Sequence, residues 1–179
     1  MQHRVRVFAM HLDKIPTFAA AGLFHVVVES PRGSSVKLRY DPALGAITLS
    51  RPLPTGLTYP HDWGFVPGTK ASDGDPVDAL IFSDAATAPG VLVRCRALGM
   101  LAIDQKKRTG DGRERNDRIL AVPGSARRFD AMRDVFALSD RVRDEIAAFF
   151  IQATAFEDKD VQVLGWKGPE QALALLGAP

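Results

Sequence analysis

Ser72-Asp73-Gly74-Asp75-Pro76-Val77-Asp78 places three carboxylates within six residues at a turn between apolar segments. Crowded carboxylates repel one another, and a hard divalent cation removes that repulsion. Mg²⁺ in particular takes octahedral oxygen ligands, with one or two carboxylates, several waters and substrate phosphates. A dication there would lower the pKa of a bound water, the chemistry of metal-assisted hydrolysis. The plainer reading is that Asp, Gly and Pro are turn formers and do nothing more. A calcium EF-hand is excluded, because counting from Asp73 puts Asp78 where the loop needs Gly and Asp84 where it needs Glu.

Other catalytic frameworks are missing from the sequence. His3, His11, His25 and His61 are scattered and lack the close pairing of zinc ligands. His61 stands near Tyr59, within reach of a phosphate site, although a structural place in the loop is the simpler expectation. No Ser/His/Asp nucleophile elbow and no Gly-rich phosphate loop is present, so a protein nucleophile is not expected.

The elements that must hold these groups fit one domain, 1–179. The chain is 46% hydrophobic and 25% charged, ordinary for a globular domain. A domain of this length buries roughly 70% of the surface of its unfolded chain, enough for one core without structural metal or disulfides. Its 23 basic and 21 acidic residues leave a net charge of +2, which advertises neither a nucleic-acid nor a membrane partner. The single cysteine, Cys95, lies in the apolar run 91–101 and reads as a buried small hydrophobe in a reducing compartment. Arg4, Arg6, His11, Asp13 and Lys14 interrupt the N-terminal apolar residues, and no run reaches the ~20 residues of a membrane span. A cytoplasmic protein is expected.

From Leu23 the pattern is short and β-like. Phe24-His25-Val26-Val27-Val28-Glu29 ends at Ser-Pro-Arg-Gly, and 36–40 with 47–49 forms a hairpin around Asp41-Pro42. Strands are expected over 59–66, 77–82, 91–103 and 119–122, a series that suggests a small barrel or sandwich. Ser139-Asp140 starts a helix whose Val142, Ile146, Phe149, Phe150 and Ala153 recur at helical spacing. A strand over 161–166 and a helix over 170–176 complete an α+β, mainly β domain.

Asp73-Gly74-Asp75-Pro76-Val77-Asp78-Ala79 fits throughout the signature of the soluble family I inorganic pyrophosphatases, and the chain resembles a divergent member. The resemblance runs from about Val26 to Trp166, through Val-Val-Glu-Ser-Pro, Val-Lys-Leu-Arg-Tyr-Asp, Tyr59-Pro60, Trp63-Gly64-Phe65, Arg94-Cys95-Arg96, Leu120-Ala121-Val122-Pro123 and Phe149-Phe150. It implies an oligonucleotide-binding-type five-stranded β-barrel with flanking helices, usually in a homo-oligomer. It further implies hydrolysis of pyrophosphate to two phosphates with several Mg²⁺ ions, for which Mn²⁺ is a substitute. Carried onto this sequence, Asp73 and Asp78 match metal ligands, Asp75 the general base, and Glu29 a further metal contact. Lys37 and Arg51 match phosphate ligands and Tyr59 a hydroxyl donor.

The departures fall on the same machinery. Arg39 stands where the resemblance expects Glu, Trp63 where it expects Tyr, and Ala153-Thr154 where it expects Tyr-Lys. Strict alignment puts Asn116 on an acidic ligand, whereas a one-residue shift selects Asp117, with Arg118 as the following cation. The preceding acid falls at Gln105 counted from Gly99, beside Asp104, and at Asp111 counted from Asn116. The set expected to bind metal is therefore Glu29, Asp73, Asp78, Asp104 and Asp117. The basic segment 106–115 reads either as a solvated loop or as a replacement phosphate clamp carrying Arg113 or Arg115. Two further functions stay open: hydrolysis of another phosphoanhydride or phosphate ester, and catalytically silent binding of a polyanion, with nucleic acid the less expected one.

Overall fold

The computed structural model describes residues 11–178. His3, Arg4 and Arg6 therefore lie outside the described residues. The elements are β1 (Phe24–Ser30), β2 (Val36–Asp41), β3 (Ala46–Pro52), β4 (Asp62–Val66), β5 (Val77–Ile81), β6 (Leu92–Lys106), β7 (Arg113–Arg115), β8 (Arg118–Pro123), α1 (Asp140–Ala153), β9 (Gln162–Lys167) and α2 (Pro169–Leu175).

Strands pair in the order β1-β4-β5-β8-β6, and β6 also pairs with β1, so five strands close into a ring. All contacts in the ring are antiparallel except β5 with β8. Closure removes the free edges that an open sheet would expose. The architecture is mainly β with two helices, as expected, and the β2–β3 hairpin stands as a separate two-stranded sheet.

Alternation along the ring strands divides the core. On β5, Leu80 joins Leu98, Leu101, Ile103 and Leu120 on one face, while Val77, Ala79 and Ile81 join Val26, Val28, Cys95 and Ile119 on the other. The helices cover different clusters. α1 packs Ile146, Phe149, Phe150 and Ala153 against the first, and Ala172 of α2 packs into the second. Burial of each large side chain contributes about 1.5–3 kcal/mol, which sets the helices firmly on the ring. The α1 start is the expected one, with Ser139 Oγ accepting from the Val142 amide at 3.4 Å. Gly64 has a packing reason: a Cβ there would lie 1.9 Å from the Val27 carbonyl oxygen across the β1–β4 pair.

Two expectations need correction. The strand read over 59–66 begins only at Asp62. Pro60 has no N–H for a ladder, and the Tyr59 amide is already bonded to the Ser34 carbonyl at 3.0 Å. The segment 106–115 is not loop throughout. β6 runs to Lys106 and β7 folds back on it, pairing Asp104 with Arg115, Gln105 with Glu114 and Lys106 with Arg113.

Candidate active site

The acidic turn is built by local bonds. The Ala71 amide donates to the Asp75 carbonyl (2.7 Å), the Gly74 amide donates to the Ala71 carbonyl (3.0 Å), and Asp73 Oδ1 accepts from the Asp75 amide (3.2 Å). Gly74 takes φ +86°, a conformation that costs a side-chain-bearing residue about 1–2 kcal/mol. Asp78 follows on β5, inside the ring, where its position is fixed by pairing with β4 and β8.

Across from the turn stands the β2–β3 hairpin, with Lys37 and Arg39 two residues apart on one strand. Together these elements enclose two adjoining cavities of about 440 and about 270 Å³ that share Lys37, Arg39, Asp73, Asp75 and Lys159. Glu29, Asp78, Asn116 and Arg118 line the smaller one. Arg51, Gln105, Lys106, Lys107 and Arg108 line the larger. Tyr59 sits behind them, in a narrow pocket with Lys37, Arg51, Trp63 and Arg118.

The carboxylates of the turn are all engaged. Arg39 Nη2 lies 2.6 Å from Asp75 Oδ1, Arg118 Nη1 lies 2.7 Å from Asp78 Oδ2, and Asn116 Nδ2 donates to Asp73 Oδ2 at 2.9 Å. Arg118 Nη1 also donates to Asn116 Oδ1, and its guanidinium lies over the Trp63 ring, 5.5 Å from the centroid. Trp63 thus lacks the hydroxyl of a tyrosine but seats a cation. Among the described residues no three Asp, Glu, His or Cys side chains converge into a ready-made metal cage. Arg39 and Arg118 hold Asp75 and Asp78 in their own ion pairs.

The donor set nevertheless suits a hard dication. The residues bordering the cavity offer carboxylate oxygens, and the groups feel one another's charge. Burial raises the Asp73 carboxyl above its ordinary pKa, and the charges of Asp75 and Asp78 add to the rise. Burial, with Asp78 nearby, pushes Glu29 up to about 7, although its Oε1 accepts from the Tyr40 amide at 2.7 Å. Burial lowers Lys37 and raises Tyr59, so the lysine holds its proton less firmly than in water and the phenol holds its proton more firmly.

Two expected ligands face elsewhere. Asp104 is bonded to Arg113 Nε at 2.6 Å, and it is the neighbouring Gln105 that lines the cavity. Asp117 accepts from the Ile103 amide at 2.9 Å and from Arg115 at 2.8 and 2.9 Å, while Asn116 faces Asp73. Strict alignment is thus the register adopted, and the one-residue shift is not. In both pairs the residue that borders a cavity is the amide, Gln105 at the end of β6 and Asn116 in the β7–β8 connection. Asp111 does not border the cavities either.

The clamp expectation divides in the same way. Arg113 pairs with Asp104 and Asp160, and Arg115 with Asp117, whereas Lys106, Lys107 and Arg108 line the larger cavity. Arg51 borders the cavities but donates to the Ala153 carbonyl at the end of α1 (2.9 Å) and pairs with Glu157. Reading the sequence missed Lys159 and Glu157. Lys159 Nζ is 3.2 Å from Glu157 Oε2 and borders all three cavities that contain Lys37. It lies beyond α1, outside any motif, and its nearest signal was the cation missing at Thr154.

A ring of five strands carries an acidic turn opposite a basic hairpin, an arrangement whose carboxylates suit a dication and whose cations suit phosphate oxygens. Residues 26–178 match the family model for inorganic pyrophosphatase. An inorganic pyrophosphatase of Synechocystis sp. is 36% identical over 167 residues, covering 93% of this chain and 95% of that protein. That of Thermus thermophilus is 40% identical over 164 residues, covering 90% and 87%. Its solved structure superposes with a TM-score of 0.85 over 94% of this chain and 95% of its own, at 37% identity. The structure from Coxiella burnetii follows at 0.82, 34% identical over 92% and 96%. The chain belongs to the inorganic pyrophosphatase family.

Proposed function

We propose that this chain, as a single domain over 1–179, hydrolyses pyrophosphate to two phosphates in the cytoplasm, as a homo-oligomer dependent on Mg²⁺ or, in its place, Mn²⁺. The observation that carries this reading is the turn Asp73, Asp75 and Asp78 facing Lys37, Arg118 and Lys159 across one cleft, in a chain of this family. Asp73 and Asp78, with Glu29 beside them, would hold the dication. Such a cation, when bound, lowers the pKa of its water and offsets charge on phosphate oxygens.

The remaining work falls to side chains. Asp75 is the half-exposed carboxylate of the turn and accepts the proton of the attacking water. Lys37, Lys159 and Arg118 hold phosphate oxygens, and electrostatic positioning of this kind supplies most of the rate in phosphoryl transfer. Arg51 and Tyr59 line the pocket behind them as further donors.

Phosphate release from pyrophosphate, with and without Mg²⁺, tests the reading in the native chain and in Asp75→Asn, beside a panel of other phosphoanhydrides and phosphate esters. Metal-dependent turnover that collapses in the variant supports it. Turnover of another compound in preference favours a changed substrate, a reading to which Arg39, Gln105 and Asn116 lend weight. No turnover of any compound, with salt-sensitive binding of an oligonucleotide, would leave a polyanion-binding module.

A further inference from the structure

The chain supplies its own cations at the places where a metal centre gathers charge. Of the three carboxylates of the turn, Asp75 is paired with Arg39 and Asp78 with Arg118, and Asp73 is bonded to a neutral amide. The walls that approach the turn add Gln105 from the end of β6 and Asn116 from the β7–β8 connection, amides that bring no charge, and Asn116 turns its Nδ2 to Asp73. Lys37 and Lys159 border the same space. Dications collect where full negative charge outweighs nearby positive charge, and here guanidinium groups have already offset most of it.

We propose that the cleft takes one divalent cation before substrate binds, and that Arg39 is a substrate-binding residue that leaves Asp75 for a phosphate oxygen in place of a second cation. The inference rests on the pyrophosphate-hydrolysing reading. Arg39 and Asp75 are 47% and 41% exposed, and solvent screens a pair this open so that it is readily given up. A guanidinium on phosphate makes bidentate charge-assisted bonds, which are stronger, so the exchange favours substrate. The same movement frees the Asp75 carboxylate to take a proton. Arg118 behaves differently. Its side chain is only 10% exposed and lies against Trp63, so it meets phosphate without giving up Asp78.

Titration of the full chain with Mn²⁺ alone, followed by electron paramagnetic resonance, counts bound cations without any activity readout. One Mn²⁺ per chain is expected, rising to two in Arg39→Glu; none or two in the native chain would overturn the proposal. Binding of imidodiphosphate at saturating Mn²⁺ tests the second half. Arg39→Gln, an exposed change whose folding a melting curve checks, should weaken it roughly tenfold or more, and unchanged affinity would overturn the assignment. Phosphate release by the native chain is scored separately, so failure of the proposed activity is distinguishable from failure of the cation count.

Discussion

Asp78 and Arg118 are register partners in the only parallel strand pair of the ring among the described residues, and their side chains meet at 2.7 Å. A neighbouring pair on parallel strands needs a crossover connection, and here that connection carries the whole of β6 and β7 between the two residues. The ion pair therefore ties the acidic turn to the part of the chain that brings in Asn116.

Breaking this pair from one side should be costly, because Arg118 is largely buried. Asp78→Ala is expected to lower stability by about 3 kcal/mol in urea denaturation, since the guanidinium keeps Asn116 and Trp63 but loses its only carboxylate among the described residues. Asp78→Ala with Arg118→Met should recover most of the loss. A double variant as unstable as the single one would show that packing, not the unpaired charge, sets the cost.

Asp75→Asn keeps the size of the side chain and leaves an acceptor for Arg39, so folding should be unchanged. Phosphate release should fall by roughly 10²–10⁴, the range for removal of a general base. A variant of near-native rate would remove Asp75 from the proton transfer.

The cations of the cleft should separate by position. Lys159→Ala is expected to raise KM for pyrophosphate by about tenfold, as loss of a charged contact to phosphate does. Arg113→Ala and Arg115→Ala should leave steady-state kinetics unchanged, because these side chains are spent on Asp104, Asp160 and Asp117. The reverse result would restore the clamp to Arg113 or Arg115 and take it from Lys159.

His61 gives a pH dependence of stability with a definite sign. Its ring stacks on Phe82 at 4.0 Å, its Nδ1 is buried without a partner, and burial lowers its pKa from 6.5 to about 4. Above pH 6.5 the ring is neutral in both folded and unfolded chains and adds no dependence. As pH falls from 6.5 to 4 the unfolded chain takes up the proton first, so stability is lost across that window, by about 2–3 kcal/mol. Denaturation curves across this range should flatten in His61→Gln; an identical slope in both proteins would assign the loss to other groups.

Much of the fold was legible because its signals act between neighbours in the chain. The β1 run 24–29, the 36–49 hairpin, the Ser139 cap and the stripe Ile146, Phe149, Phe150 and Ala153 each reflect an alternation, a turn or a helical period, and each has its expected place. β7 was read as loop because its three residues are all charged. What holds them as a strand is pairing with the end of β6, with Arg113 bonded to Asp104, and that is a relation between segments.

Of the candidate site, the acidic turn with Asp73, Asp75 and Asp78 was legible from residue types and spacing, while Lys37 as a phosphate ligand followed only from the resemblance to one family. Which of Asp104 and Gln105, or of Asn116 and Asp117, faces the cleft was not legible. Asp104 and Gln105 end β6, a strand with register shifts near Gly99 and near Ile103, while Asn116 and Asp117 lie in the connection between β7 and β8, where no strand alternation orders them. Each irregularity on β6 exchanges the faces beyond it, so counting along that strand loses the answer for Asp104 and Gln105. Tertiary packing settled it, and it also brought Lys159 from beyond α1 to the side of Lys37 and set Arg39 on Asp75. Those residues are far apart in sequence and lie on segments that meet only in the packed chain: the separate β2–β3 hairpin, the acidic turn before β5 and the stretch between α1 and β9.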